Sequence, residues 1–233
     1  MIDPFTLVAG ITLGGVLVCF AVHFIPVGGA PAAMAQTTGI GTGTTMLAVG
    51  SGLTGLVSAG FMLNVVGAGF DQMALVLASG AIGAMLMLDF TMLVGNYIYV
   101  MGVGVVPASA KVDYDPITKD RQDLYVSQGT EGHGIPTVCF VSGTLGALFG
   151  GIGGSLVYWM LYHVSADPAM SGIFAIGIFL VNSVIASYNI VGTIEGFHDP
   201  KFKRLPKAVV TSLVVTFLCA IIAIYVVPGG AVL

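Results

Sequence analysis

Hydrophobic residues in this chain fall into long runs, and the polar residues collect between them. The runs span Phe5 to Ile25, Gln36 to Leu63, Gln72 to Val106, Pro136 to Tyr162, Met170 to Ile194 and Pro206 to Val227. A helix that crosses a bilayer needs about 20 mostly apolar residues. Hydrocarbon offers no water to bond stray backbone groups, so runs of this length predict helices rather than strands. The expected fold is an all-α integral membrane protein, a bundle of about six transmembrane helices forming one polytopic domain over 1–233. The third run is too long for a simple crossing. At 1.5 Å per residue it would extend roughly 50 Å against a hydrocarbon core of roughly 30 Å. It should tilt, bend at Gly80, Gly83 or Gly95, or project from the bilayer.

Charge then orients the bundle. With six crossings the connections alternate between two sides, and all seven basic residues fall in the third and fifth connections: Lys111, Lys119, Arg121, Lys201, Lys203, Arg204 and Lys207. The positive-inside rule makes that side cytoplasmic, with loops at about 107–135 and 195–205, and puts both termini outside. Splitting the third run in two would scatter this set.

Composition supports the same class and removes several others. The 233 residues are 56% hydrophobic and 8% charged with a mean hydropathy of +1.00, whereas a soluble domain is about one-quarter charged. Most of the 34 glycines lie inside the apolar runs, as in bundles whose backbones approach closely. A net charge of -4 leaves no basic surplus for phosphates, which argues against nucleic acid as a partner. Cys19, Cys139 and Cys219 each sit within an apolar run, without the spacing of a zinc site or disulfide framework. Asp3, with no Lys or Arg before the first run, is the wrong start for a cleaved signal peptide, so that run is expected to remain as a helix. No GxGxxG, Walker A or HExxH pattern is present.

Candidate chemistry therefore reduces to polarity at membrane depth, which is costly and points by default to function. Asp89 is the one acidic residue well inside an apolar run, and Asn96 lies seven positions on, on the same helical face. Together they could line an ion path, or Asp89 could mark a helix interface. Asn182, Ala186, Asn189 and Thr193 recur at i, i+4, i+7 and i+11, with Ser183 and Ser187 beside them. This stripe could offer neutral oxygens to a hard cation such as sodium, or hydrogen bonds to a neighbouring helix, the commoner use. Thr37, Gly41, Thr44, Ala48, Ser51 and Gly55 read similarly, and Gly146, Gly150 and Gly154 form a doubled GxxxG suited to close helix contact.

The cytoplasmic loops carry a second set. Glu131 and His133 lie in a Gly-rich turn, and Glu195 and His198 have an i, i+3 spacing that metal sites in helical bundles use. Capping, loop hydrogen bonds or contact with a partner are the simpler roles, and no metal other than sodium is expected. Lys201, Lys203 and Arg204 belong to a basic segment, Asp199 to Lys207, that could meet a partner or anchor at lipid headgroups. His23, just before Pro26, is expected at the membrane interface.

Four stretches carry a resemblance: Gly129 to Gly143 (GTEGHGIPTVCFVSG), Ala186 to Arg204 (ASYNIVGTIEGFHDPKFKR), His23 to Ala35 (HFIPVGGAPAAMA) and Val94 to Val112 (VGNYIYVMGVGVVPASAKV). They resemble the D subunit of the tetrahydromethanopterin S-methyltransferase of methanogenic archaea. The resemblance implies a multi-pass subunit of the archaeal cytoplasmic membrane. The complex transfers a methyl group from methyl-tetrahydromethanopterin to coenzyme M through a corrinoid and couples this to sodium export. It also implies that subunits C and E are the nearest partners, and that the corrinoid and the methyl-transfer chemistry reside on other subunits. No catalytic residue carries over, and the family's favoured acidic sodium ligand belongs to the E subunit. Two rivals are a purely structural subunit and a self-sufficient small transporter, for which inverted repeats would be expected.

Overall fold

The computed structural model describes residues 2–26, 43–103, 109, 111–123, 134–191 and 194–226. The apolar runs become six α-helices: α1 Pro4–Val22, α2 Gly43–Val66, α3 Met73–Val103, α4 Pro136–Ser165, α5 Pro168–Ile190 and α6 Leu205–Val226, with a 3₁₀ turn, Pro200–Arg204, leading into α6. Among the described residues there is no β-strand, only an isolated bridge between Tyr114 and Arg121. Five helices are long and apolar enough to cross a membrane, and α2 contributes a shorter apolar stretch, Gly50–Val66.

Local sequence sets the helix ends. Asp3 caps α1, accepting from the Thr6 N–H at 2.9 Å, and Asp167 caps α5, accepting from Ala169 and Met170 at 2.7 and 3.1 Å. Each cap is followed by a proline whose missing N–H would have had no helical partner. The third run stays whole: α3 passes without interruption through Gly80, Gly83 and Gly95. Its 31 residues extend about 46 Å, more than a hydrocarbon core of roughly 30 Å, and Met73–Gly95 is a stretch long and apolar enough to cross. A helix of this length tilts in a bilayer or extends past its hydrocarbon core.

Consecutive helices run antiparallel. The Ser51 hydroxyl donates to the Ala84 carbonyl at 2.8 Å, and the Ser79 hydroxyl to the Ser58 carbonyl at 3.0 Å, which fixes α2 against α3. Asn182 meets Thr216, and Asn189 meets the Arg204 carbonyl, which fixes α5 against α6. Hence α1, α3 and α5 finish at one end, the loop end, with 109–123 and 194–204 folded over it. Pro4 and Phe5 line one shallow depression with Ile224 and Tyr225 at the other end.

The centre of the bundle is α4, and glycine makes it so. A methyl group added at Gly153 would stand 2.6 Å from the Gly14 carbonyl oxygen of α1, and one at Gly151 would stand 2.7 Å from Ala81 Cα of α3. Gly146 is as close to the Ala21 carbonyl, at 2.9 Å. Two faces of one helix thus let two other backbones into contact. Lipid tails are as apolar as leucine, so close van der Waals packing of this kind, rather than escape from water, holds such helices together.

Because a backbone carbonyl cannot step aside, Gly153→Ala should lower stability by about 1–3 kcal/mol, the usual cost of overpacking. Gly172→Ala, where an added methyl meets nothing within 4 Å, should be neutral or slightly stabilising. Thermal unfolding of the two variants in detergent, compared with the parent, checks the contrast.

Candidate functional site

Among the described residues, the polar side chains singled out at membrane depth fall into two separate groups, and a third group covers the loop end. The first is a pair on the seam between α3 and α4. Asp89 is half-buried, and its Oδ1 accepts from the Thr144 hydroxyl at 2.7 Å. Thr144 stands eight residues into α4, about 12 Å along the axis from its start, well inside the apolar segment. The same hydroxyl lies 3.1 Å from the Phe140 carbonyl. It has one proton for two acceptors.

The second group lies between α1, α5 and α6. Asn182 is fully buried. Its Nδ2 donates to the Ile178 carbonyl at 3.0 Å and to Thr216 Oγ1 at 2.9 Å. Its Oδ1 accepts from the Ser212 hydroxyl and lies 3.1 Å from Thr216 Oγ1. Gly15 of α1 closes the site, since an added methyl would stand 2.8 Å from the Asn182 amide nitrogen. Every polar atom of the amide is engaged, as a group in so dry a place requires. Asp89 and Asn182 therefore occupy different seams, and the chain by itself does not bring them into one path.

Asn189, farther along the α5 stripe, belongs to the loop end. His23, also fully buried, has Nδ1 2.8 Å from the Cys19 carbonyl and Nε2 3.0 Å from Asn189 Nδ2. A carbonyl only accepts, so Nδ1 carries the proton and Nε2 accepts from the amide. The Asn189 amide also donates to the Arg204 carbonyl at 3.1 Å, tying α1, α5 and the 3₁₀ turn together.

Beside this node, Ser142 of α4 joins two more segments. Its hydroxyl donates to the Phe24 carbonyl at 2.7 Å and accepts from the Phe197 N–H at 2.9 Å. Gly196 passes it at φ +114°, where an added Cβ would also stand 2.5 Å from the Ser142 oxygen, so only glycine suits this turn. Glu195 is held from several directions. Its N–H donates to Asp199 at 3.0 Å, its carbonyl accepts from the Cys139 thiol at 3.1 Å, and its carboxylate pairs with Lys111. His198 Nε2 lies 3.8 Å from that carboxylate. Burial pulls the His198 imidazole below the ordinary histidine range, against the opposing pull of Glu195 and Asp199. Asp115 anchors the 109–123 segment: burial pushes its carboxyl up, but the Thr137 hydroxyl and the Thr118 and Ile117 N–H groups together leave it below the usual carboxylate range.

Of the residues singled out from sequence, Glu195, His198 and Lys201 come together around Asp199, whose Oδ1 accepts from the Lys201 N–H at 2.8 Å. Lys203 and Arg204 remain exposed. Glu131, His133 and Thr193 lie outside the described residues, as does the side chain of Asn96. Sequence reasoning missed Thr144, Ser142, Ser212 and Thr216. The signal for the last two was present, a polar i, i+4 pair in an otherwise apolar helix.

These features define a class, a multi-helix membrane protein with a polar cap at one end and no soluble catalytic domain among the described residues. The family model for the D subunit of tetrahydromethanopterin S-methyltransferase matches residues 4–216. The D subunit of Methanosarcina mazei is 63% identical over 92% of this chain and 91% of its own length. The Methanothermobacter marburgensis D subunit is 54% identical over 98% and 99%, and that of Methanocaldococcus jannaschii 57% over 93% and 94%. The chain belongs to the family of tetrahydromethanopterin S-methyltransferase D subunits.

The loop-end geometry sets two expected outcomes. Asn189→Leu leaves His23 Nε2 and the Arg204 carbonyl without their donor and should cost about 1–3 kcal/mol, read as a lower unfolding midpoint. The imidazole of His198 is harder to protonate folded than unfolded. Its contribution is therefore complete above the unfolded value of about 6.5 and is lost as pH falls from there toward the lower folded value. Thermal stability should decline as pH falls below about 6.5, and His198→Gln should flatten that decline.

Proposed function

We propose that this chain is a membrane subunit of the sodium-translocating methyl-tetrahydromethanopterin:coenzyme M methyltransferase, forming part of the scaffold and sodium pathway that couple methyl transfer to sodium export in methanogenesis. Its loop end faces the cytoplasm and both termini face outward, in keeping with seven basic residues at that end. The corrinoid and the methyl-transfer step belong to partner subunits, and subunits C and E are the membrane neighbours. The loop-end residues Lys203 and Arg204, exposed beside the Glu195 and His198 turn, are the surface offered to the cytoplasmic partners.

The observation that carries the pathway part is Asp89. A carboxyl group at membrane depth is expensive, and pairs, faces water or meets an ion. Here it sits on an outward seam with a single described donor, Thr144. A sodium ion passing along that seam would find a carboxyl oxygen and a hydroxyl oxygen side by side, the ligand type a hard cation takes. Coupling then requires that the seam bind sodium differently as the partner's corrinoid changes methylation state, because a ligand shifts only states it distinguishes.

A purely structural role is favoured by one specific observation. The Asn182 amide is saturated by its own chain and closed by Gly15, which supports packing for that residue, so the pathway reading rests on Asp89. In the purified complex, Asp89→Asn should raise the sodium concentration needed for half-maximal methyl transfer by roughly tenfold, the effect of about 1.4 kcal/mol of lost ion binding, and should slow sodium uptake into liposomes. An intact complex with unchanged sodium dependence in both assays would leave the structural role standing.

A further inference from the structure

We infer that the outer ridge of α3 centred on Asp89 is an interface for one transmembrane helix of another subunit, and that this helix presents a hydrogen-bond donor or cation to the Asp89 carboxyl. The inference rests on the subunit assignment above but is independent of whether sodium touches Asp89.

Ile82, Leu86, Asp89 and Leu93 recur at i, i+4, i+7 and i+11 and so form one straight ridge. The three apolar members are each more than half exposed, at 57%, 54% and 53%, and Phe90 and Tyr97 flank them, also exposed. The outer face of α6, built from Val210, Leu213, Val214, Phe217, Leu218 and Ile222, is equally exposed and apolar but carries no charged residue in that stretch. Lipid covers a face like that of α6 at no cost. It does not suit the α3 ridge.

Hydrogen-bond counting gives the reason. The Thr144 hydroxyl is the one described donor to Asp89, and its single proton is shared with the Phe140 carbonyl. A carboxyl group has more hydrogen-bonding sites than one shared hydroxyl proton can fill, so part of its capacity is left for whatever lies on the ridge. Hydrocarbon can supply no donor, and an Asp at the centre of a crossing helix costs about 2.5–3.5 kcal/mol on insertion scales. A neighbouring helix with Asn, Gln, Lys or Arg at this depth supplies what is missing, while Ile82, Leu86 and Leu93 supply the apolar contact on either side. Such polar contacts are a recurrent means of joining helices in membranes.

The test places the photoreactive residue p-benzoylphenylalanine at Leu86 or at Leu93, and at Leu218 on α6 as a control, in the intact purified complex. Mass spectrometry then identifies what each position captures. Capture of a transmembrane segment of another subunit from Leu86 and Leu93, with only lipid adducts from Leu218, supports the inference. Lipid adducts alone from the α3 positions overturn it, and so does capture of a second copy of this chain. With the probe at Leu93, Asp89→Val should reduce capture by roughly fivefold or more, the scale of one interhelical hydrogen bond in a bilayer, whereas Asp89→Asn should largely preserve it. Equal capture in both variants would remove the carboxyl from the interface. Capture that survives alongside an unaltered sodium response would sink the sodium pathway and leave this interface in place.

Discussion

The bundle depends on backbone-to-backbone contact along α4. Leucines and valines cannot drive helices together in a solvent that resembles them, so the free energy must come from dispersion at close range and from the few hydrogen bonds that bridge helices. Gly146 and Gly153 admit α1, and Gly151 admits α3 through Gly80 and Ala81. Once α4 is clasped on these faces, α5 is placed by the two-residue connection Ala166–Asp167 and α6 by Asn182. Substituting any of these glycines would separate whole helices rather than perturb one side chain.

That constraint also sorts the polar residues. Where helices touch at glycine distance there is no room for water, so a polar side chain must be completed by its own neighbours. Asn182 is completed, by Ser212, Thr216 and the Ile178 carbonyl, and its role is to register α5 on α6. Asp89 sits where the glycine contacts of α3 give way to its outer ridge, and its own chain supplies only the shared Thr144 proton. The same chemistry that makes Asn182 structural makes Asp89 the point where this subunit is unfinished by itself. The loop end follows a third rule, because its segments return to water. There Ser142, His23, Asn189 and Glu195 link α1, α4, α5 and the turn before α6, so the loop segments are tied directly to three helices and to the start of a fourth.

Six helices, their order and most of their ends were legible in the sequence. The length of an apolar run states that a helix is there, and Asp3-Pro4 and Asp167-Pro168 state where it starts. The doubled GxxxG of α4 pointed to close contact, which Gly146 makes with the Ala21 carbonyl, while the other tight backbone approaches fall on Gly151 and Gly153, outside that motif. Family membership was legible as well, in loop strings such as Gly129 to Gly143. The sequence did not disclose how α3 uses its glycines. Gly80 and Gly83, candidates for a bend, instead receive Ser155 and Ser58 from neighbouring helices, and a bend and a contact leave the same mark in one dimension.

The sequence by itself therefore determined what depends on composition and local spacing: the membrane class, the helices, the caps and the side on which basic residues collect. The tertiary structure decided which polar residues meet. The stripe from Asn182 to Asn189 reads as a single feature because helical periodicity is local. Only the packing of α1 and α6 against it shows that its two ends serve different sites, one a sealed amide network and the other a histidine-centred joint. Likewise Asp89 and Thr144 lie 55 residues apart in sequence, and their meeting follows from the register of α3 on α4. That register is fixed by glycine contacts elsewhere along the helices, so no local pattern around either residue could reveal it.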